Sequence, residues 1–79
     1  GFVKIASQFR GVAAVEKTHE ARYLKLLENI NDGSVFAKTS KVVWFCRNCG
    51  HIHTGEEAPL VCPVCAHPRA YFELKCTNY

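Results

Sequence analysis

Residues 42–74 read VVWFCRNCGHIHTGEEAPLVCPVCAHPRAYFEL, and the architecture of the chain turns on them. Cys46-Arg47-Asn48-Cys49 and Cys62-Pro63-Val64-Cys65 are two C-x-x-C pairs separated by twelve residues, Gly50 to Val61. A C-x-x-C pair folds into a tight knuckle whose two sulfurs point at one metal, and two facing knuckles complete a tetrahedron of four thiolates. Two disulfides, or thiols without a ligand, are the other readings. The total of five cysteines is odd and four of them are paired by spacing, which favours metal binding in a reducing cytoplasm over a secreted disulfide scaffold. On either side of this cysteine-, glycine- and proline-rich centre, Val42–Cys46 and Tyr71–Leu74 are β-branched and aromatic runs that predict two short strands. His51-x-His53 and His67 read as surface-loop residues, since four thiolates already complete a tetrahedron. Cys76 lies outside both pairs and reads as a spare thiol.

Zinc and iron both accept four thiolates, so the ligand set alone leaves the metal open. Trp44, Phe45, Tyr71 and Phe72 are candidates for an apolar shell beside the sulfurs, and such shielding tunes an iron potential, although a zinc ribbon also carries aromatics.

Upstream the period changes. Phe2, Ile5, Phe9, Val12, Glu16, His19, Tyr23, Leu26 and Ile30 alternate in steps of three and four, the seam of one bundle helix. Asn31-Asp32-Gly33 predicts its end, because glycine accepts the left-handed conformation that closes helices. Gly11 inside the helix costs about 1 kcal/mol against alanine, and a lone helix has nowhere to bury such a stripe. Partner helices are therefore expected, from another chain or from sequence preceding Gly1. Residues 34–41 read as a linker reaching at most about 30 Å when extended.

Glu16 and His19 stand at core positions of that stripe, where a bundle otherwise places leucine or isoleucine, and burying them without a partner is costly. The Glu-x-x-His spacing sets carboxylate and imidazole on one helix face, as ferritin-like bundles do for a di-iron centre. A polar pair in an interhelical hydrogen-bond network is the alternative. Glu20 and Tyr23, each one turn further on, are weaker candidates.

Seventy-nine residues hold one domain or two partial ones. At 48% apolar and 22% charged the composition is globular, and no apolar run approaches the roughly 18 residues of a membrane span. No signal peptide is evident. The net charge of +3 is thinly spread: residues 1–33 carry five Lys and Arg against four Asp and Glu, Lys38 and Lys41 follow, and residues 42–79 balance three against three. That pattern argues against a basic nucleic-acid footprint.

The stretch 42–74, with its short spacing between cysteine pairs, resembles the rubredoxin-type domain that ends rubrerythrins. The segment FVKIASQFRGVAAVEKTHEARYLKLLENINDG, residues 2–33, is similar to the last helix of the rubrerythrin four-helix bundle, and the two halves stand in the family's order. The resemblance implies an α+β chain: residues 1–33 as the final helix of a ferritin-like di-iron bundle, 34–41 as linker, and 42–79 as a rubredoxin-like domain. It implies a mononuclear Fe(Cys)4 site on Cys46, Cys49, Cys62 and Cys65. It further implies a di-iron centre to which Glu16 and His19 contribute ligands and catalysis, the rest coming from helices outside this chain. The implied activity is cytoplasmic peroxide reduction under oxidative stress. Hydrogen peroxide would be the substrate, a homodimer the assembly, and a separate reductase or redox protein the source of electrons. A zinc-ribbon binding module and a plain electron carrier with a helical assembly segment are the alternatives. One departure is Ala66, where rubredoxin-like knuckles commonly have glycine; if that residue needs a positive φ, alanine costs on the order of 1 kcal/mol.

Overall fold

The computed structural model describes residues 1–79 and divides them into two compact units, Gly1–Asp32 and Gly33–Tyr79. In the first unit a single helix, α1, runs from Val3 to Asn31. At 1.5 Å per residue it is about 43 Å long. It starts without a side-chain cap; the first backbone bond is Ala6 N–H to Phe2 O at 2.9 Å. It ends as the Asn-Asp-Gly signal predicts, with Asp32 N–H donating to Glu28 O and Gly33 at φ +75°. None of its residues is buried, and the seam residues Phe2, Phe9, Tyr23 and Ile30 are each about two-thirds exposed or more. A single helix gives such a stripe nothing of its own to pack against. No helix is long and apolar enough to cross a membrane.

The second unit is a three-stranded antiparallel sheet of order β2-β1-β3, with β1 at Ala37–Cys46, β2 at Ile52–Glu57 and β3 at Phe72–Leu74. A 3-10 turn, Arg69–Tyr71, leads into β3. The central strand is the most β-branched and aromatic one, and its alternation sets the core. Trp44 and Cys46 point inward and are buried, whereas Phe45 between them lies on the opposite face and is half-buried. Trp44 Nε1 donates to Gly55 O at 3.1 Å, which satisfies the indole's only polar atom. Ala58, Cys62 and Phe72 complete the buried cluster, with Phe36, Val42 and Cys65 packed on it.

Three expectations change. The linker predicted over residues 34–41 is shorter, because Ala37–Lys41 belong to β1. Ala37 pairs with Glu57 and Val42 with Gly55, so Lys38–Lys41 form a bulge opposite Glu56. The stretch between the two predicted strands contains a third, β2, which places His53 in the sheet opposite Trp44 rather than in a surface loop. Tyr71 belongs to the 3-10 turn and is 38% exposed, so the buried shell is Trp44 and Phe72 without Tyr71 or Phe45.

Candidate metal centre

Each knuckle begins where a strand or bridge delivers its first cysteine, and both are built on one pattern. In the first, Gly50 N–H donates to Cys46 O at 2.9 Å and Cys46 N–H to His51 O at 3.0 Å. In the second, Ala66 N–H donates to Cys62 O at 2.9 Å and Cys62 N–H to His67 O at 2.9 Å. The turn closes through a left-handed residue after the second cysteine: Gly50 at φ +86° and Ala66 at φ +63°. Ala66 is the only non-glycine residue with positive φ, so the strain anticipated there is real. Gly50 brings the first knuckle over Phe45, with 3.8 Å between the phenyl ring and the position a Cβ would take.

The first knuckle is also the turn of the β1–β2 hairpin. The second is anchored by a bridge between Val61 and Pro68. Arg47 ties the first knuckle to the 3-10 turn that follows the second: its backbone N–H donates to Tyr71 O at 2.8 Å and its Nη2 to Ala70 O at 3.1 Å. The result brings the Sγ atoms of Cys46, Cys49, Cys62 and Cys65 within 4.8 Å of one another. Cys46 faces Cys65 at 3.7 Å and Cys49 faces Cys62 at 3.6 Å. Cys46 and Cys62 are buried, Cys65 is half-buried and Cys49 is exposed, so the cluster is sealed on the core side and open at one edge.

The electrostatics fit a cation. The His67 backbone N–H donates to Cys65; together with the Asn48 side chain and the neighbouring Cys62 and Cys49 thiols it outweighs desolvation and brings Cys65 down to about 5. The His51 backbone N–H acts on Cys49 in the same way, but desolvation and the thiols of Cys62, Cys65 and Cys46 overcome it and Cys49 is pushed up to about 12. Four sulfurs this close cannot all ionise on their own; a cation at their centre removes the conflict. Four soft sulfur donors in a tetrahedral cradle suit zinc or iron and exclude magnesium or calcium chemistry.

Sequence reasoning missed the groups that support the sulfurs. They are the backbone amides of His51 and His67 and the side chain of Asn48, whose Nδ2 also lies 3.2 Å from His67 Nδ1. A signal was available: Cys-x-x-Cys-Gly-His and Cys-x-x-Cys-Ala-His repeat at residues 46–51 and 62–67. His67 is half-buried and packs edge-on against Tyr71 with ring centroids 4.5 Å apart. Cys76 is exposed, and its thiol donates to Asn78 Oδ1.

Glu16 and His19 lie in the other unit. Glu16 Oε1 is 3.5 Å from His19 Nδ1, and their side chains are 67% and 55% exposed. Both share one helix face, as their spacing predicts, and that whole face is bare in this chain. Glu20 and Tyr23 are exposed as well.

Residues 44–73 match the family described as "Rubrerythrin, rubredoxin-like domain". Along all 79 residues the chain is 56% identical to a rubrerythrin of Porphyromonas gingivalis and covers 40% of that protein. It is 48% identical to a putative rubrerythrin of Methanocaldococcus jannaschii over all 79 residues, covering 39% of it. Against a rubrerythrin of Nitratidesulfovibrio vulgaris the figures are 46% over the same length and 41%. The chain thus spans about two fifths of the length of the curated relatives it matches, in their C-terminal part. A long helix followed by a four-cysteine β knot, it carries the rubredoxin-like domain of rubrerythrins and matches their C-terminal part along its whole length.

Proposed function

We propose that this chain works in peroxide reduction of the rubrerythrin type, with Cys46, Cys49, Cys62 and Cys65 holding one iron and Glu16 and His19 contributing to a di-iron centre completed by other helices. The observation that carries the reading is the pair of matched knuckles that gathers four sulfurs at the surface of a small core. When bound, the mononuclear iron supplies one-electron transfer and the di-iron centre the two-electron reduction of hydrogen peroxide.

The chain's own residues prepare the relay. The His51 and His67 amides and the Asn48 side chain stabilise negative charge on Cys49 and Cys65, an effect that favours the reduced, more negative form of a four-thiolate site. Trp44 and Phe72 keep water from the core side, while Cys49 offers an exposed edge through which an electron enters or leaves. On α1, Glu16 and His19 present a carboxylate and an imidazole three residues apart, ready to be buried when helices cover the stripe. A homodimer would supply such helices, and a separate reductase the electrons.

A plain electron carrier is the second reading, favoured by the exposure of Glu16 and His19. The double substitution Glu16→Leu and His19→Leu, made in the chain together with the helices that complete it, separates the two. Peroxide turnover disappears while the visible absorption of the thiolate iron persists if the first reading holds. Unchanged turnover sinks it and leaves the carrier.

A further inference from the structure

We propose that the four-cysteine knot is also a site of peroxide-driven disulfide formation, in which bridges form across the knuckles, Cys49 with Cys62 and Cys46 with Cys65, and the metal is released. The site has the layout of an attacking and a resolving thiol, twice over. Cys49 is exposed and faces buried Cys62 at 3.6 Å; Cys65 is half-buried and faces buried Cys46 at 3.7 Å. In each pair one sulfur is open to a small oxidant and its partner waits behind it. A disulfide bond of about 2.05 Å requires each sulfur to move by only about 0.8 Å.

The chemistry balances with one hydroperoxide per bridge. The Cys49 thiolate attacks hydrogen peroxide, the O–O bond breaks, and Cys49 becomes a sulfenic acid with release of hydroxide. The Cys62 thiolate then attacks the Cys49 sulfur, the S–S bond forms, and a second hydroxide leaves. Two sulfurs have given up two electrons and one peroxide has taken them. Two thiolates alone hold a divalent metal poorly, so release follows the first bridge. Cys65 and Cys46 repeat the sequence.

The direction of bridging matters. Bridges within a knuckle would leave the two knuckles untethered, whereas cross-knuckle bridges replace the metal's own link between residues 46–49 and 62–65. Oxidation then preserves the fold, and a thiol reductant restores a site ready to be refilled. The inference needs no peroxide turnover at a di-iron centre and stands apart from that reading.

The test uses the full chain carrying Cys76→Ser and loaded with zinc, which has no redox chemistry of its own. Hydrogen peroxide is added, zinc release is followed with a chromogenic chelator, and disulfides are mapped by mass spectrometry after non-reducing digestion. The expected result is zinc release in step with Cys49–Cys62 and Cys46–Cys65 bridges, reversed by a thiol reductant. The same oxidation in concentrated guanidinium should give bridges within each C-x-x-C instead. Identical maps from folded and unfolded chain, bridges within the knuckles of the folded chain, or sulfinic acids without bridges would overturn the proposal.

Discussion

Residues 1–32 and residues 33–79 answer the problem of being small in opposite ways. The helix carries a long apolar stripe and has no buried residue, so nothing within its own unit encloses that stripe. The sheet has a core of only Trp44, Cys46, Ala58, Cys62 and Phe72, yet two of those five are prospective metal ligands, so the metal site and the core are one object. On the proposed reading the first unit is completed by other helices and the second by an ion. The chemistry each can offer follows: Glu16 and His19 need a second protein surface, whereas the four sulfurs need only a cation.

Metal removal is the strongest way to break this contrast. Stripping the ion should lower the thermal midpoint of residues 33–79 by tens of degrees, because metal binding to such a site carries on the order of 10 kcal/mol. Near-ultraviolet circular dichroism from buried Trp44 follows that loss, and a far-ultraviolet helical signal that melts together with it would show the two units to be coupled.

Truncating the core comes next. Trp44→Ala removes the largest buried side chain and should cost about 3–5 kcal/mol in denaturant unfolding of the loaded sheet. The matching change on the helix, Phe9→Ala, should cost the isolated chain almost nothing and weaken only its assembly with other helices, measured by sedimentation.

Acid sharpens the account of the site. Cys49, raised to about 12, keeps its proton at pH 7 until a metal displaces it, so affinity falls as pH falls. Cys65, lowered to about 5, is ionised at neutrality and begins to compete for protons only near pH 5, where release should steepen. Metal release followed against pH checks both parts; a loss of metal on raising the pH from 7 to 9 would contradict the sign.

The smallest effect belongs to Ala66→Gly. Relief of the left-handed strain at φ +63°, less the greater flexibility of glycine in the unfolded chain, should stabilise the knot by about 0.5–1 kcal/mol. Equilibrium denaturation of the loaded chain resolves a change of that size.

Much of this arrangement was legible in the chain itself, for reasons that differ by region. The three-four spacing from Phe2 to Ile30 and the stop at Gly33 mark α1 because backbone geometry alone imposes them. The C-x-x-C pairs mark the cluster because a knuckle is a local fold. Strand β2 escaped because Ile52-His53-Thr54-Gly55-Glu56-Glu57 has no apolar alternation; it is a strand because the first knuckle reverses the chain and lays it along β1. The start of β1 escaped for a related reason, since Lys38–Lys41 join the strand through a bulge rather than by pattern. Backbone amides aimed at sulfur have no residue code, and only the repeated histidine after each knuckle hinted at them.

The most direct measurement is metal content joined to the visible spectrum of the oxidised chain. The account predicts one iron per chain and strong ferric-thiolate absorption, both lost in Cys46→Ser and both kept when Glu16 and His19 are replaced by leucine. A colourless protein that takes up zinc and refuses iron under reducing, anaerobic loading would contradict it.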